Sequence, residues 1–261
     1  MRVFWVAYDT LYKILSLKVL ILSLAIVLAI VFASLAMSNY LTSAGPAWHD
    51  LFRKYIFQDF MGTLYLFAQM LLTPFVVIIS ALAAQDMYRG EAEQIYLTGG
   101  LSKPVAFTGR ILGLLVYIFL LWWALFVAAG ATVLCTGLGN IEPSMVGILA
   151  KLLLNSVALS FLVCSLIGLT KVVVVGITPI LISHYWLTVN NDITMETAGN
   201  AVHNAVNYLL PLYTFTTRGF DSPHILMKYQ DLSPWHGTFS LVAFIAFFLL
   251  ASAVLYMVKQ D

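Results

Sequence analysis

Residues 86–104 read DMYRGEAEQIYLTGGLSKP. They separate two of the most apolar runs in the chain, yet they carry Asp86, Arg89, Glu91, Glu93 and Lys103, and Arg110 follows one turn into the next run. A charged side chain at mid-bilayer costs roughly 2.5–3.5 kcal/mol on insertion scales, so Arg89, Glu91, Glu93 and Lys103 together oppose burial by about 10 kcal/mol or more. The segment belongs in water while its neighbours belong in lipid. Within it, EAEQIYL reads as two helical turns after Gly90, with Glu91 and Glu93 at the end where the helix dipole favours acids. Gly99 and Gly100 stop that helix, because glycine takes the left-handed conformation of a C-terminal cap. Ser102 and Pro104 start the next one. The order is then membrane helix, short aqueous helix, sharp turn, membrane helix. Two readings fit it: a rigid handle through which a gripping partner moves both spans, or a solvated turn that keeps two helix ends in water.

The composition supports this setting. Of 261 residues, 61% are hydrophobic and 10% charged, against about 25% charged in soluble domains. Repeated apolar runs of about 20 residues identify an integral membrane protein. A net charge of +1 points to no nucleic acid. The first run, LKVLILSLAIVLAIVFASLAM from Leu17 to Met37, is too long for a signal-peptide core and lacks a small-x-small cleavage site, so it reads as a first span. The fold expected is all-α, one transmembrane domain over residues 1–261, with six spans near 17–38, 62–84, 105–135, 144–168, 172–190 and 237–258. The third exceeds about 20 residues and must tilt, kink or project beyond the lipid.

Six spans place both termini on one side. Arg2, Lys13, Lys18, Arg89, Lys103, Arg110, Lys171 and Lys259 fall there, eight of thirteen basic residues, with five of the twelve acids. Basic residues favour the cytoplasmic side, so the termini and residues 85–104 are expected inside.

Three further segments are more than connectors. In residues 1–16, Phe4, Trp5, Tyr8, Leu11, Tyr12 and Leu15 recur at helical steps away from Arg2, Asp9 and Lys13, the pattern of an interfacial amphipathic helix that anchors to the membrane. Residues 39–61 hold the aromatic-rich WHDLFRKYIFQDF. Residues 191–236 form the longest polar stretch, with a helical patch ending at Pro211.

Within the spans, polar residues default to a functional reading. Gln69 and Thr73-Pro74 in the second, Asn155 and Ser156 in the fourth, and Ser183 and His184 in the fifth are candidates for a substrate path, or for hydrogen bonds between helices worth about 0.6 kcal/mol each. Pro179 marks a kink in the fifth span. Cys135 and Cys164 sit toward opposite ends of adjacent spans, too far apart to bridge, and read as small apolar fillers. His49, His203, His224 and His236 show no metal-ligand spacing.

The charged stretch resembles the cytoplasmic coupling segment of type-2 ABC exporter permeases. Their pattern has an acid four before a Gly, then Thr-x-Glu, Leu-rich positions, a Pro, Ser-Arg and Gly-Lys. Here Asp86 stands four before Gly90, Glu93 three after it, Ile95, Tyr96 and Leu97 fill the apolar positions, and Ser102-Lys103 and Gly109-Arg110 match the basic pairs. Glu91 replaces the Thr, Gly100 replaces the Pro, and one residue is inserted between Gly90 and Gly100. YLLPLYTFTTRGF, Tyr208 to Phe220, is similar to the outer segment before the last span in some members.

The resemblance implies a permease subunit, not itself an enzyme, that dimerises with a second copy or a homologue around a substrate path in a bacterial or archaeal cytoplasmic membrane. Asp86, Arg89, Gly90, Glu91, Glu93, Ile95, Tyr96 and Lys103 would then engage a separate cytoplasmic ABC ATPase that carries the ATP and Mg. The chain itself would bind no cofactor. It lacks a phosphate loop, TGGLSKP having the wrong spacing. The competing classes are a self-contained secondary transporter or channel, disfavoured because no acid falls clearly at mid-span, and an intramembrane enzyme, disfavoured because no catalytic constellation is evident.

Overall fold

The computed structural model describes residues 2–42, 60–61, 63–64, 67–89, 91–137, 143–189 and 234–258, and the regular structure among them is all helical. Gly90 and the segments 43–59 and 190–233, which hold most of both outer stretches, lie outside the described residues, as do the side chains of Glu91, Glu93, Ser183 and His184.

Helix α1 is Arg2–Ile14 and α2 is Leu17–Thr42. A π-helical turn, Ala68–Leu72, leads into α3, Thr73–Arg89. Then come α4, Glu91–Thr98; α5, Lys103–Thr136; α6, Pro143–Thr170; α7, Val173–Val189; and α8, Pro234–Val258. Five stretches are long and apolar enough to cross a bilayer: Leu17–Ala36, Ala68–Arg89, Lys103–Thr136, Leu152–Thr170 and Leu241–Val258. The chain therefore has the character of a multi-pass membrane protein in a lipid environment. The helix expected as the fifth span, α7, has 17 residues, about 25 Å at 1.5 Å per residue, just under the ~30 Å hydrocarbon thickness.

Most helix bounds fall within a few residues of the apolar runs. The second departs most. It continues to Arg89 rather than ending near 84, because no breaker precedes Gly90 and because Ala84, Met87 and Tyr88 bury one face while Gln85, Asp86 and Arg89 stay exposed. At its other end Pro74 has no N–H for the carbonyl four residues back. The chain widens there into the π turn, in which the Thr73 N–H reaches the Ala68 carbonyl.

α3 and α6 form the centre of the bundle. Ser80 Oγ donates to Ser160 Oγ at 2.8 Å, and Gly168 lies so close under the Tyr88 ring that a Cβ there would stand 2.6 Å from it. Both pairs are offset by 80 residues, so the two helices run parallel and in register. Further side chains pin their neighbours: Trp122 Nε1 donates to Ser156 at 3.1 Å, Tyr117 pairs with Ser23 at 2.9 Å, and Tyr88 donates to the Ser252 carbonyl at 3.0 Å. These hydrogen bonds tie α5 to α6, α2 to α5 and α3 to α8. With lipid tails as apolar as leucine, such bonds and close packing hold the helices together.

Candidate functional site

The 34 residues of α5 span about 51 Å, well beyond the hydrocarbon layer, and the first turns of the helix receive α1. Gly109 and Gly113, spaced as Gly-x-x-x-Gly, let the two backbones approach. A Cβ at Gly109 would stand 2.5 Å from Val6 Cβ, and one at Gly113 would stand 2.6 Å from the Ala7 carbonyl oxygen. The stripe of α1 that packs there is made of small residues, Val6, Ala7 and Thr10, all buried. The rings of Phe4, Tyr8 and Tyr12 are exposed, and Trp5, at the edge of the aromatic stripe, reaches Tyr96. The helix read as a simple anchor is thus an integral part of the packing.

α4 closes this junction. Its end is a Schellman motif: the Gly100 N–H reaches the Leu97 carbonyl at 3.1 Å, the Leu101 N–H reaches the Tyr96 carbonyl at 3.0 Å, and Gly100 takes φ 79°. Ser102, in extended conformation, precedes α5, with Pro104 in its first turn. The turn between the two helices is therefore fixed in shape.

Tyr96 turns inward from α4 and is 5% exposed. Its hydroxyl donates to the Asp9 carboxylate. Its ring meets Trp5 edge-on at 5.7 Å and has two cations over it, Arg110 at 5.0 Å and Lys13 at 5.7 Å from the centroid, a distance range in which the ring face attracts positive charge. Lys13 Nζ also pairs with Asp9 at 2.8 Å, and Arg110 Nη1 donates to Thr10 Oγ1 at 3.5 Å. Partial burial pushes the Asp9 carboxyl up. The hydrogen bonds from Lys13 and Tyr96, with the charges of Lys13 and Arg110, outweigh it and hold the group below its ordinary value.

The residues picked from sequence thus divide. Ile95, beside Tyr96, faces outward and is 67% exposed; Asp86 and Arg89 are exposed, and Lys103 is half-buried. Arg110, counted on the side of the termini, is 4% exposed. Trp5, Asp9 and Lys13 escaped sequence reasoning as partners of Tyr96, and Thr10 as the partner of Arg110. The Gly109-Gly113 spacing was the signal for their packing face.

A second polar cluster lies in the bundle. Gln69, in the π turn, and Asn155, on α6, are both buried. Asn155 Oδ1 and Thr73 Oγ1 are buried with no hydrogen-bond partner. The offset of α3 and α6 sets Thr73 level with residue 153, so Thr73 and Asn155 lie within about 3 Å in height. Thr73, Ser80 and Ser160 are buried along the same helix pair. Among the described residues no three His, Cys, Asp or Glu side chains gather to hold a metal ion. Cys135 is exposed, Cys164 is buried, and both are free thiols.

No family model matches the chain, and no curated protein matches it in sequence.

Proposed function

We propose that this chain is the transmembrane subunit of an ATP-driven exporter of the type-2 ABC kind, working as a dimer with a second copy or a homologue. A separate cytoplasmic ATPase subunit holds ATP and Mg. The observation that carries the reading is α4: a short, charged helix of fixed length, closed by a left-handed glycine, joining two membrane helices and turning a bare isoleucine, Ile95, outward. In this reading Ile95 is the apolar anchor with which the helix enters a partner's groove. α4 is the coupling helix in this account. Asp86, Arg89, Glu91 and Glu93 supply charge around Ile95, and Tyr96 positions the helix rather than touching the partner.

In this reading α7 is a sixth span, with both termini cytoplasmic. ATP-driven closure of two ATPases moves the paired α4 helices, and the motion passes through α3 and α5 to open the path on alternate sides. Gln69, Asn155, Ser183 and His184 line that path, and the unpartnered Asn155 and Thr73 oxygens support its placement between α3 and α6. The test is purification of the tagged chain from its own host in mild detergent, alongside Glu93→Arg. A stoichiometric phosphate-loop ATPase that disappears with Glu93→Arg supports the account. A chain that arrives alone both times supports a self-contained transporter or channel instead.

A further inference from the structure

At 100° per residue α1 carries three stripes. Val6, Ala7 and Thr10 face α5. Arg2, Asp9 and Lys13 form the second, on the side from which Tyr96 of α4 approaches. Phe4, Trp5, Tyr8 and Tyr12 form the third, each more than half exposed, with the rings of Tyr8 and Tyr12 stacked at 6.3 Å. Only Leu15 and Ser16 separate α1 from α2, whose apolar run begins at once with Leu17, itself 71% exposed. Backbone bonds from Leu15 to Leu11 and from Leu20 to Ser16 carry the chain through that bend without slack. α1 is therefore held at the depth where the first span enters the lipid, and four exposed aromatic rings at that depth lie in the headgroup layer.

The charges around these rings are mostly positive. Arg2 stands at one end of the aromatic stripe, Lys13 near the other, and Lys18 in the first turn of α2, all exposed. The only acid of α1, Asp9, is already taken by Lys13 and Tyr96. No ion pair among the described residues holds Arg2 or Lys18. Cations held beside an interfacial aromatic face attract anionic headgroups.

We propose that the outward face of α1 is a docking surface for anionic phospholipid, with the rings of Phe4, Tyr8 and Tyr12 at the boundary between headgroups and acyl chains and with Arg2 and Lys18 on the headgroup phosphates. The bilayer is thereby a partner of defined charge rather than a neutral solvent. Because α1 also holds Tyr96, lipid composition acts on the position of α4. The lipid preference is independent of what α4 grips.

The test uses the full chain in phosphatidylcholine vesicles containing an equal small fraction of either dibromophosphatidylglycerol or dibromophosphatidylcholine. The chain has six tryptophans, so the Trp5 signal is taken as the difference between wild type and Trp5→Phe. We expect quenching of Trp5 to be roughly fivefold more efficient by the anionic lipid, to fall toward parity in 0.5 M salt, and to reach parity in the Arg2→Gln/Lys18→Gln variant, which leaves Lys13, Asp9 and Tyr96 in place. Equal quenching by the two lipids in the wild type would overturn the proposal and leave a hydrophobic anchor alone. So would a Trp5 that neither lipid quenches but aqueous iodide does.

Discussion

The hydroxyl of Tyr96 donates to the carboxylate of Asp9, 87 residues earlier in the chain. This contact makes three helices one unit: α4 is fixed to α1 through Tyr96, and α1 is fixed to α5 through Gly109 and Gly113. A push on α4 therefore reaches α5 by two routes, through the turn at Gly100 and through α1.

Removing the hydroxyl with Tyr96→Phe is expected to cost about 1.5 kcal/mol, the low end for a bond to a charged group because Asp9 is partly solvated. Tyr96→Ala also removes the ring contacts to Trp5, Lys13 and Arg110 and should cost about 3 kcal/mol. A fluorogenic maleimide reads this directly: exposed Cys135 labels at once, and buried Cys164 labels on unfolding. The midpoints should fall in the order wild type, Phe, Ala. Equal midpoints would remove Tyr96 from the junction.

The same contact fixes a pH dependence. The folded Asp9 carboxyl titrates below its ordinary value of 3.8, so its contribution is complete above that ordinary value and is lost as pH falls through the lowered one. Asp9→Asn should lower the thermal unfolding midpoint, followed by tryptophan fluorescence, at pH 7. The gap from wild type should close on acidification below pH 4. A gap that persists unchanged there would mean the carboxylate charge is not what holds Tyr96.

Gly113→Ala places a methyl against the Ala7 carbonyl, which is backbone and cannot swing aside, at an expected cost of about 1–3 kcal/mol. With Cys135 replaced by Ser, a cysteine introduced at buried Thr10 should label slowly, and faster when Gly113→Ala is added. Gly100→Ala meets no neighbour within 4 Å and carries only the strain of its positive φ, so it should leave the Thr10 reporter unchanged.

The core hydrogen bonds should matter less. A double-mutant cycle of Ser80→Ala and Ser160→Ala is expected to give a coupling of about 0.6 kcal/mol. Asn155→Leu replaces a buried amide whose oxygen has no partner, so the thermal midpoint should hold or rise while export, if Asn155 lines the path, falls. A marked loss of stability would show that the amide is a structural bridge.

Five of the six expected spans were legible because bilayer thickness writes itself into the length of apolar runs, and the end of α4 was legible because Gly100 is needed for its left-handed φ. The packing of α1 was hidden by the same physics that exposed its amphipathicity. In a soluble protein the stripe Phe4, Trp5, Tyr8, Tyr12 would mark the core, but at a membrane the largest rings face lipid and the small residues Val6, Ala7 and Thr10 face protein. Charge counting placed Arg110 on the side of the termini but could not show its burial, since nothing local reveals that Tyr96 and Thr10 close over it. Residue 84 looked like a span end because charge follows it, although one helical face can stay buried while the other carries Asp86 and Arg89.

The central claim is that the outward face of α4 grips a motor. A photo-crosslinking amino acid at position 95, on a side chain exposed enough to accept it, tests this in the intact membrane of the host. The account predicts one major crosslinked product, between this chain and a phosphate-loop ATPase, which weakens when Glu93→Arg is added. Crosslinks to lipid alone, or none beyond this chain, would contradict it and leave α4 a solvated turn.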